Sequence, residues 1–337
     1  MQYSDFIPQN VAPAGAKWIG VYNDRGNRVG MIPLGTLSVP DTGGRLYAFG
    51  AVSDIHLRYS TAQEDFQRAL SWFNEDQAVA FTCVAGDLTQ NGTAAELEEY
   101  RTAVETWSPN TPVYAISGNH ESYGGLDLEG VIGEYTGHPL YYSFRQGEDL
   151  FVMVGVKGDA EGQLFTQPEL QWLYETLEAN RNRRCFVFTH VRPQDGCGNA
   201  FGIYSNDIWG GTEAEVFESL MRHYTNVLLF HGHSHLKFYL QYGSAIANYD
   251  NLFGCHSIHI PSLAVPRDGD ASGASSRKEI YADSEGYVVE VYEKGVLLRG
   301  RDFASNAWVP VASYWLDTTA AEIPEKTYED PTFTITV

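Results

Sequence analysis

An α/β fold, built of mixed β-sheet with helices outside it, is what this sequence predicts, and three observations predict it. Apolar runs with the look of buried strands alternate with amphipathic helical segments through the first two-thirds of the chain. From His256 onward the pattern changes to strands only, which adds antiparallel pairing to a core that is otherwise parallel. With 337 residues, 43% of them hydrophobic, the chain can bury a sizeable core without disulfides or metals as staples. The economical arrangement is one mixed sheet, or two sheets packed together with helices outside.

The elements follow in order. Arg45–Ser53 (RLYAFGAVS) reads as a buried strand. Thr61–Asp76 reads as a helix, with Phe66, Ala69, Leu70 and Phe73 at helical spacing and a capping box of Thr61 and Glu64. Val79–Ala85 is a second buried strand. Thr93–Trp107 is a second helix, opened by Thr93 and Glu96 and carrying Leu97, Tyr100, Val104 and Trp107 on one face. Val113–Ser117 and Leu150–Val156 are strands. Pro168 stands in the first turn of a helix that presents Leu170, Leu173 and Leu177. Arg184–Thr189 and Asn226–Phe230 complete the core strands, with a helix over Glu213–Tyr224 between them. Tyr287–Tyr292 and Val296–Arg299 belong to the strand-only region.

Both ends read as decorations of one main domain. Residues 1–44 form an N-terminal extension holding a hairpin, Trp18–Ile32, that turns near Asn23–Gly26. Residues 45–302 form the main domain. Residues 303–337 hold one apolar run, Trp308–Trp315, and then a Thr-, Glu- and Pro-rich tail that packs on the main domain.

Charge and composition exclude several functions. With 43 acidic against 22 basic side chains the net charge is -21, which opposes a nucleic-acid polymer held by phosphate contacts and opposes adsorption to an anionic membrane. No apolar run of 18 residues exists, so no membrane helix is expected. Met1–Asn10 has no basic patch followed by an apolar stretch, which argues against a signal peptide. Cys83 and Cys185 fall in strand-like runs as buried thiols. Cys197 and Cys255 lie in loop-like sequence, where free thiols are the expectation and a bridge is the alternative. A cytoplasmic location is the default, although the many Tyr, Asn and Gly residues would also suit an extracellular protein. The oligomeric state is open.

The informative feature is where acids and histidines fall. Asp54 and His56 follow the first core strand in Ser-Asp-Ile-His, and Gly86-Asp87 follows the second. Gly118-Asn119-His120-Glu121 follows the third. His190 ends CFVFTH, and His231-Gly232-His233-Ser234-His235 ends NVLLF. Strand after strand thus delivers a ligand-capable group at its carboxyl end, where α/β sheets place their sites. Each motif alone is weak to moderate evidence; in this order, and all at strand ends, they are strong. Histidine, carboxylate and amide ligands together suit Mn, Fe, Ni or Zn rather than Ca. Two such ions can orient a shared hydroxide near neutral pH and clamp the oxygens of an in-line phosphoryl displacement.

In these residues the sequence resembles the calcineurin-like metallophosphoesterases, whose pattern is D-x-H, G-D, G-N-H-D/E, a lone His and then G-H-x-H. The resemblance covers residues 46–301 and every signature position is filled. It implies two packed mixed β-sheets flanked by helices in four layers, with the metal site at the carboxyl ends of the strands. Carried over by position, one of two divalent ions (Mn, Fe, Zn or Ni) would be held by Asp54, His56, Asp87 and His235. The other would be held by Asp87, Asn119, His190 and His233, with Asp87 bridging. The implied activity is hydrolysis of a small phosphate mono- or diester by a metal-bridging hydroxide, with His120 assisting the leaving group. The charge of two such ions outweighs Asp54 and Asp87, so an acidic chain can still attract phosphate locally.

One departure narrows the branch. The protein Ser/Thr phosphatases have G-D-x-x-D-R-G after the bridging Asp, and the second Asp orients the histidine. Here the segment is Gly86-Asp87-Leu88-Thr89-Gln90-Asn91-Gly92, with Gln90 in the place of that acid, so a phosphoprotein phosphatase becomes the alternative. A surface- or phage-associated protein tethered through residues 1–44 is a second alternative. Arg58 and Arg192 each follow a ligand by two residues and are candidates to bind a phosphate oxygen, with a surface salt bridge as the competing role. Tyr123 and Glu121, beside His120, are undecided. His231 is read as supporting or structural, His256 and His259 as packing residues. The stretches 192–210 and 263–278 read as long loops that set specificity.

Overall fold

A computed structural model describes residues 18–22, 28–33, 42–77, 79–158, 164–192, 197–198, 212–238, 248–250, 255–269 and 277–318. The chain opens with an antiparallel hairpin of β1 (Trp18–Tyr22) and β2 (Arg28–Pro33); its expected turn residues lie outside the described ones. There follow β3 (Arg45–Val52), α1 (Ala62–Ser71) with a π-helical continuation to Gln77, β4 (Thr82–Ala85), α2 (Ala94–Trp107) and β5 (Val113–Ile116). A 3₁₀ turn at His120–Ser122 leads to α3 (Leu128–Thr136), β6 (Tyr141–Gln146), β7 (Asp149–Val154), α4 (Gln167–Glu178) and β8 (Cys185–Phe188). Then come α5 (Thr212–His223), β9 (Val227–His231), β10 (Tyr249–Asp250), β11 (His256–His259), β12 (Arg267–Gly269) and β13 (Arg277–Glu279). The antiparallel run β14 (Glu285–Tyr292), β15 (Gly295–Asp302) and β16 (Ala307–Asp317) ends the described chain.

Two six-stranded mixed sheets result, in the orders β16-β15-β14-β3-β4-β5 and β10-β11-β9-β8-β7-β6. Within them β3, β4 and β5 are parallel, as are β7, β8, β9 and β11. Strand alternation explains the layering, because successive side chains point to opposite faces. From β3, Phe49 and Ala51 enter the layer between the sheets, while Ala48 and Val52 face α1 and α2. From β8, Phe186 and Phe188 enter the same layer, while Cys185 and Val187 face α4 and α5. β9 repeats this with Leu228 and Phe230 inward and Val227 and Leu229 outward. The layer between the sheets is therefore aromatic: Phe49 stacks on Phe81 at 5.4 Å and meets Phe151 edge-on at 5.1 Å and Phe186 at 5.4 Å. Each such pair adds about 0.5–1.5 kcal/mol beyond its burial, which ties the two sheets face to face.

Several expectations are sharpened. Thr93 and Thr166 form complete capping boxes with Glu96 and Glu169, whereas the box expected at Thr61 is not made. The reason is backbone: Thr93 and Thr166 are extended, with ψ of 151° and 153°, while Thr61 has ψ of 4° and its hydroxyl makes no capping bond. The strand expected over 79–85 shortens to Thr82–Ala85. The stretch 263–278, expected as a loop, supplies β12 and β13, which pair with each other; the residues between them lie outside the described ones. The C-terminal apolar run is β16, the edge strand hydrogen-bonded to β15, and β2 lies alongside it. All four cysteines are buried, and Cys197 and Cys255 are not bridged to each other.

Candidate metal centre

Five strand ends build one cluster. Past β3, Asp54 and His56 are tied to the loop after β4 by Asp54 N–H donating to Gly86 O (3.1 Å) and His56 N–H to Asp87 O (2.9 Å). Past β8 and β9, Gly232 N–H donates to His190 O at 2.9 Å, and His233 N–H donates to Asp54 Oδ2 at 3.1 Å, which joins the second sheet to the first. The result is two sets of donor atoms sharing a residue. Asp54, His56, Asp87 and His235 form one, and Asp87, His190 and His233 form the other. In the first, His235 Nε2 lies 3.0 Å from both His56 Nε2 and Asp54 Oδ1, and His56 Nε2 lies 3.5 Å from Asp87 Oδ2. In the second, His190 Nε2 lies 3.1 Å from Asp87 Oδ2 and 3.3 Å from His233 Nδ1. Asn119 Oδ1 completes it, 3.1 Å from both His190 Nε2 and His233 Nδ1. All seven residues expected as ligands are brought together.

The chemistry of this donor set fits cations. His190 Nδ1 donates to Ala85 O (2.8 Å) and His235 Nδ1 to Val265 O (3.2 Å), so each ring turns its Nε2 toward the cluster. Asp54 Oδ1 is buried there and accepts no hydrogen bond. Burial holds His56 and His233 down to about 3 and His235 well below the usual imidazole range, so their lone pairs are free at neutral pH. His190 is the exception: burial works to lower it, but the Asp87 carboxylate beside it prevails and lifts it to about 9. Asp87 is correspondingly depressed, because the surrounding histidines, His190 foremost, overcome a burial that would raise it.

Backbone geometry shows why these motifs carry glycine. Asp54, His56, Asp87, His233 and His235 all have positive φ, between 49° and 71°, a region costly for non-glycine residues. A Cβ on Gly118 would lie 2.2 Å from Asp87 Oδ1, and one on Gly232 would lie 1.9 Å from Ser53 Oγ. Any side chain at either position displaces a ligand loop.

A family model for calcineurin-like phosphoesterases matches residues 47–237, more than half of the chain. The chain belongs to the calcineurin-like phosphoesterase family. That domain implies a metal-dependent phosphoester hydrolase. No curated protein matches the sequence. Solved structures share the calcineurin-like phosphoesterase fold at low identity. A purple acid phosphatase, PPD1, from yellow lupin (Lupinus luteus) seeds is 13% identical with a TM-score of 0.56; the match covers 82% of this chain and 55% of that one. This chain therefore spans little more than half of the lupin protein. GAP50, described as the anchor in the inner membrane complex of Plasmodium, is 13% identical with a TM-score of 0.53, covering 81% of this chain and 89% of that one. PhoD is 12% identical with a TM-score of 0.52, covering 86% and 73%. No helix among the described residues is long and apolar enough to cross a membrane.

Around the cluster, three side chains can be placed. His120 stands beside the cluster: its ring is 4.4 Å from that of His56, its Nε2 is 3.9 Å from Asp87 Oδ2, and its backbone N–H donates to Asp87 Oδ1 at 3.0 Å. Its orienting partner is the backbone carbonyl of Gln90, which accepts from Nδ1 at 2.8 Å; the side-chain amide expected in that role is not used. Arg58 pairs with Glu99 on α2, and no hydrogen bond or ion pair joins it to the ligands among the described residues. The competing role, a surface salt bridge, is the one it fills. Arg192 is fully buried and close enough to His231, His233 and His259 to disfavour protonation of each. A surface bridge is excluded for Arg192.

Other residues act from behind. Glu121 is buried and accepts from Thr89 N–H, Thr89 Oγ1 and Gly118 N–H at 2.9, 2.9 and 2.7 Å, clamping the loops that carry Asp87 and Asn119 together. His259 meets Ser234 Oγ at 2.8 Å, bracing the turn between His233 and His235. His231 lies 3.2 Å from Ser257 Oγ and 3.4 Å from Cys197 Sγ, a supporting position. Most of 192–210 lies outside the described residues.

Proposed function

We propose that the protein is a dinuclear metal-dependent phosphoesterase that hydrolyses small phosphate mono- or diesters. The observation that carries this reading is the pair of donor sets sharing Asp87, with a histidine outside both sets standing beside them. Two divalent ions held there would supply a lowered water pKa and positive charge facing the phosphoryl oxygens. The chain's residues do the rest. Asp87 serves both sets and fixes their separation. Burial keeps His56, His233 and His235 in the form that donates a lone pair. His120, with Nδ1 committed to Gln90 O, offers Nε2 to the leaving-group oxygen, and its side chain is 20% exposed, so a substrate can reach it. The net charge of -21 supports a small ester over a long polyanion.

The test is hydrolysis of nitrophenyl phosphate and bis-nitrophenyl phosphate by metal-stripped protein reloaded with Mn, Zn, Ni or Fe. Turnover of either ester that depends on added metal is expected, and the faster ester settles monoester against diester. Inactivity with every metal overturns the reading. A phosphopeptide included alongside tests the phosphoprotein phosphatase alternative.

A further inference from the structure

Tyr123 is half exposed, with 50% of its surface open, yet it is engaged on two sides. The 3₁₀ turn after Asn119 folds it back: Ser122 N–H donates to Asn119 O (3.0 Å), and Tyr123 N–H donates to His120 O (3.1 Å). Its hydroxyl oxygen then accepts from Asn119 Nδ2 at 2.8 Å, while its ring sits 4.5 Å from the ring of His120.

These contacts matter because a carboxamide, unlike a carboxylate, has two different ends. Oδ1 offers lone pairs, whereas Nδ2 offers only hydrogens and repels a cation. Asn119 Oδ1 is the end that meets His190 Nε2 and His233 Nδ1, each at 3.1 Å. The amide's shape alone does not select that orientation; the hydrogen bond that Nδ2 donates to Tyr123 Oη holds it. The same ring limits how far His120 can swing from the cluster.

We propose that Tyr123 is a positioning residue: its hydroxyl sets the Asn119 amide the right way round for the second ion, and its ring holds His120 at the leaving-group side. This rests on the dinuclear reading above. Hydrogen-bond partners of metal ligands typically contribute 10–100-fold in metal affinity.

The two halves separate by mutation. Metal-stripped full-length protein is titrated calorimetrically with Mn²⁺ as wild type, Tyr123→Phe and Tyr123→Leu, with kcat measured at saturating metal on the better nitrophenyl ester. Wild type is expected to take up two ions. Tyr123→Phe should weaken the second by about 10-fold, leave the first unchanged and keep kcat within about twofold. Tyr123→Leu should show the same metal defect and a further fall of about 10-fold or more in kcat, because the support of His120 is gone. Thermal midpoints of the metal-free variants should match wild type. Wild-type binding of both ions by Tyr123→Phe overturns the amide role, and an unchanged kcat in Tyr123→Leu overturns the ring role. Both ions weakened equally, together with a lowered midpoint, reduces Tyr123 to a structural residue. Fewer than two ions on wild type refutes the dinuclear reading itself, and the proposal with it.

Discussion

The two donor sets share Asp87 but are built by different means. In the set of Asp54, His56, Asp87 and His235, every residue is buried and every one sits on a positive-φ backbone. At about 1–3 kcal/mol each, such conformations persist only where the surroundings over-determine them. Here the ladder of backbone bonds from Asp54, His56 and Leu57 to Gly86, Asp87 and Leu88 does so. In the other set Asp87 and His233 share that backbone, but Asn119 has an ordinary φ of -72° and is oriented through its side chain, while His190 in the metal-free chain holds a proton against Asp87. One half of the centre is thus set by backbone at every residue, and the other depends at Asn119 and His190 on side-chain hydrogen bonds and protonation. The second should be the more easily lost.

The strongest attack on this comparison removes what the halves have in common. Asp87→Ala is expected to abolish binding of both ions and all activity, read by metal content after dialysis and by ester hydrolysis. A variant that keeps one ion at full affinity shows that Asp87 is not shared. His120→Ala should do the reverse, retaining both ions and losing about 10²–10⁴ in kcat, since the ring belongs to neither set. Loss of metal in that variant would place His120 among the ligands.

A subtler probe separates the halves by pH. His190 is raised to about 9 in the metal-free chain, so below that value its proton must leave before a second ion binds. The proton is held at low pH and surrendered as pH rises through about 9. Affinity for the second ion should therefore climb about tenfold per pH unit, or about a hundredfold between pH 6 and pH 8. His56, held near 3, and His235, held well below the usual imidazole range, carry no proton in that window, so the first ion should show no such slope. Titrations at several pH values check this; equal slopes for both ions would erase the distinction between the sets.

Much of this was legible in the sequence. Every residue of the two donor sets stands past the carboxyl end of a strand whose apolar run announces it, and period-two alternation separates Phe49, Phe186 and Phe230 from Val52, Val187 and Leu229. What was not legible is carried by backbone and by contacts between distant segments. Nothing in Ser-Asp-Ile-His states that Asp54 and His56 adopt positive φ, because that conformation is imposed by the neighbouring strand end. The capping box at Thr61 failed for the same kind of reason, a ψ that spacing cannot report. Arg58 and Arg192 occupy equivalent places in their motifs, yet one faces Glu99 at the surface and the other is wholly buried.

Gln90 gives the smallest expected effect and the cleanest test of that lesson. By residue type it stands where an acid would orient the histidine, and its side-chain amide looks like a weaker substitute. The bond is instead made by the Gln90 carbonyl, an acceptor that every residue type possesses. Gln90→Ala should then leave kcat within about twofold of wild type, with metal content unchanged. Gln90→Pro keeps that carbonyl but deletes the N–H that Gln90 donates to Leu57 O at 3.2 Å, so it disturbs the ladder supporting the backbone-set half. It should therefore weaken the first ion while the alanine variant does not. A large loss of rate in Gln90→Ala alone would return the orienting role to the side chain and, with it, the relation to the protein phosphatase motif.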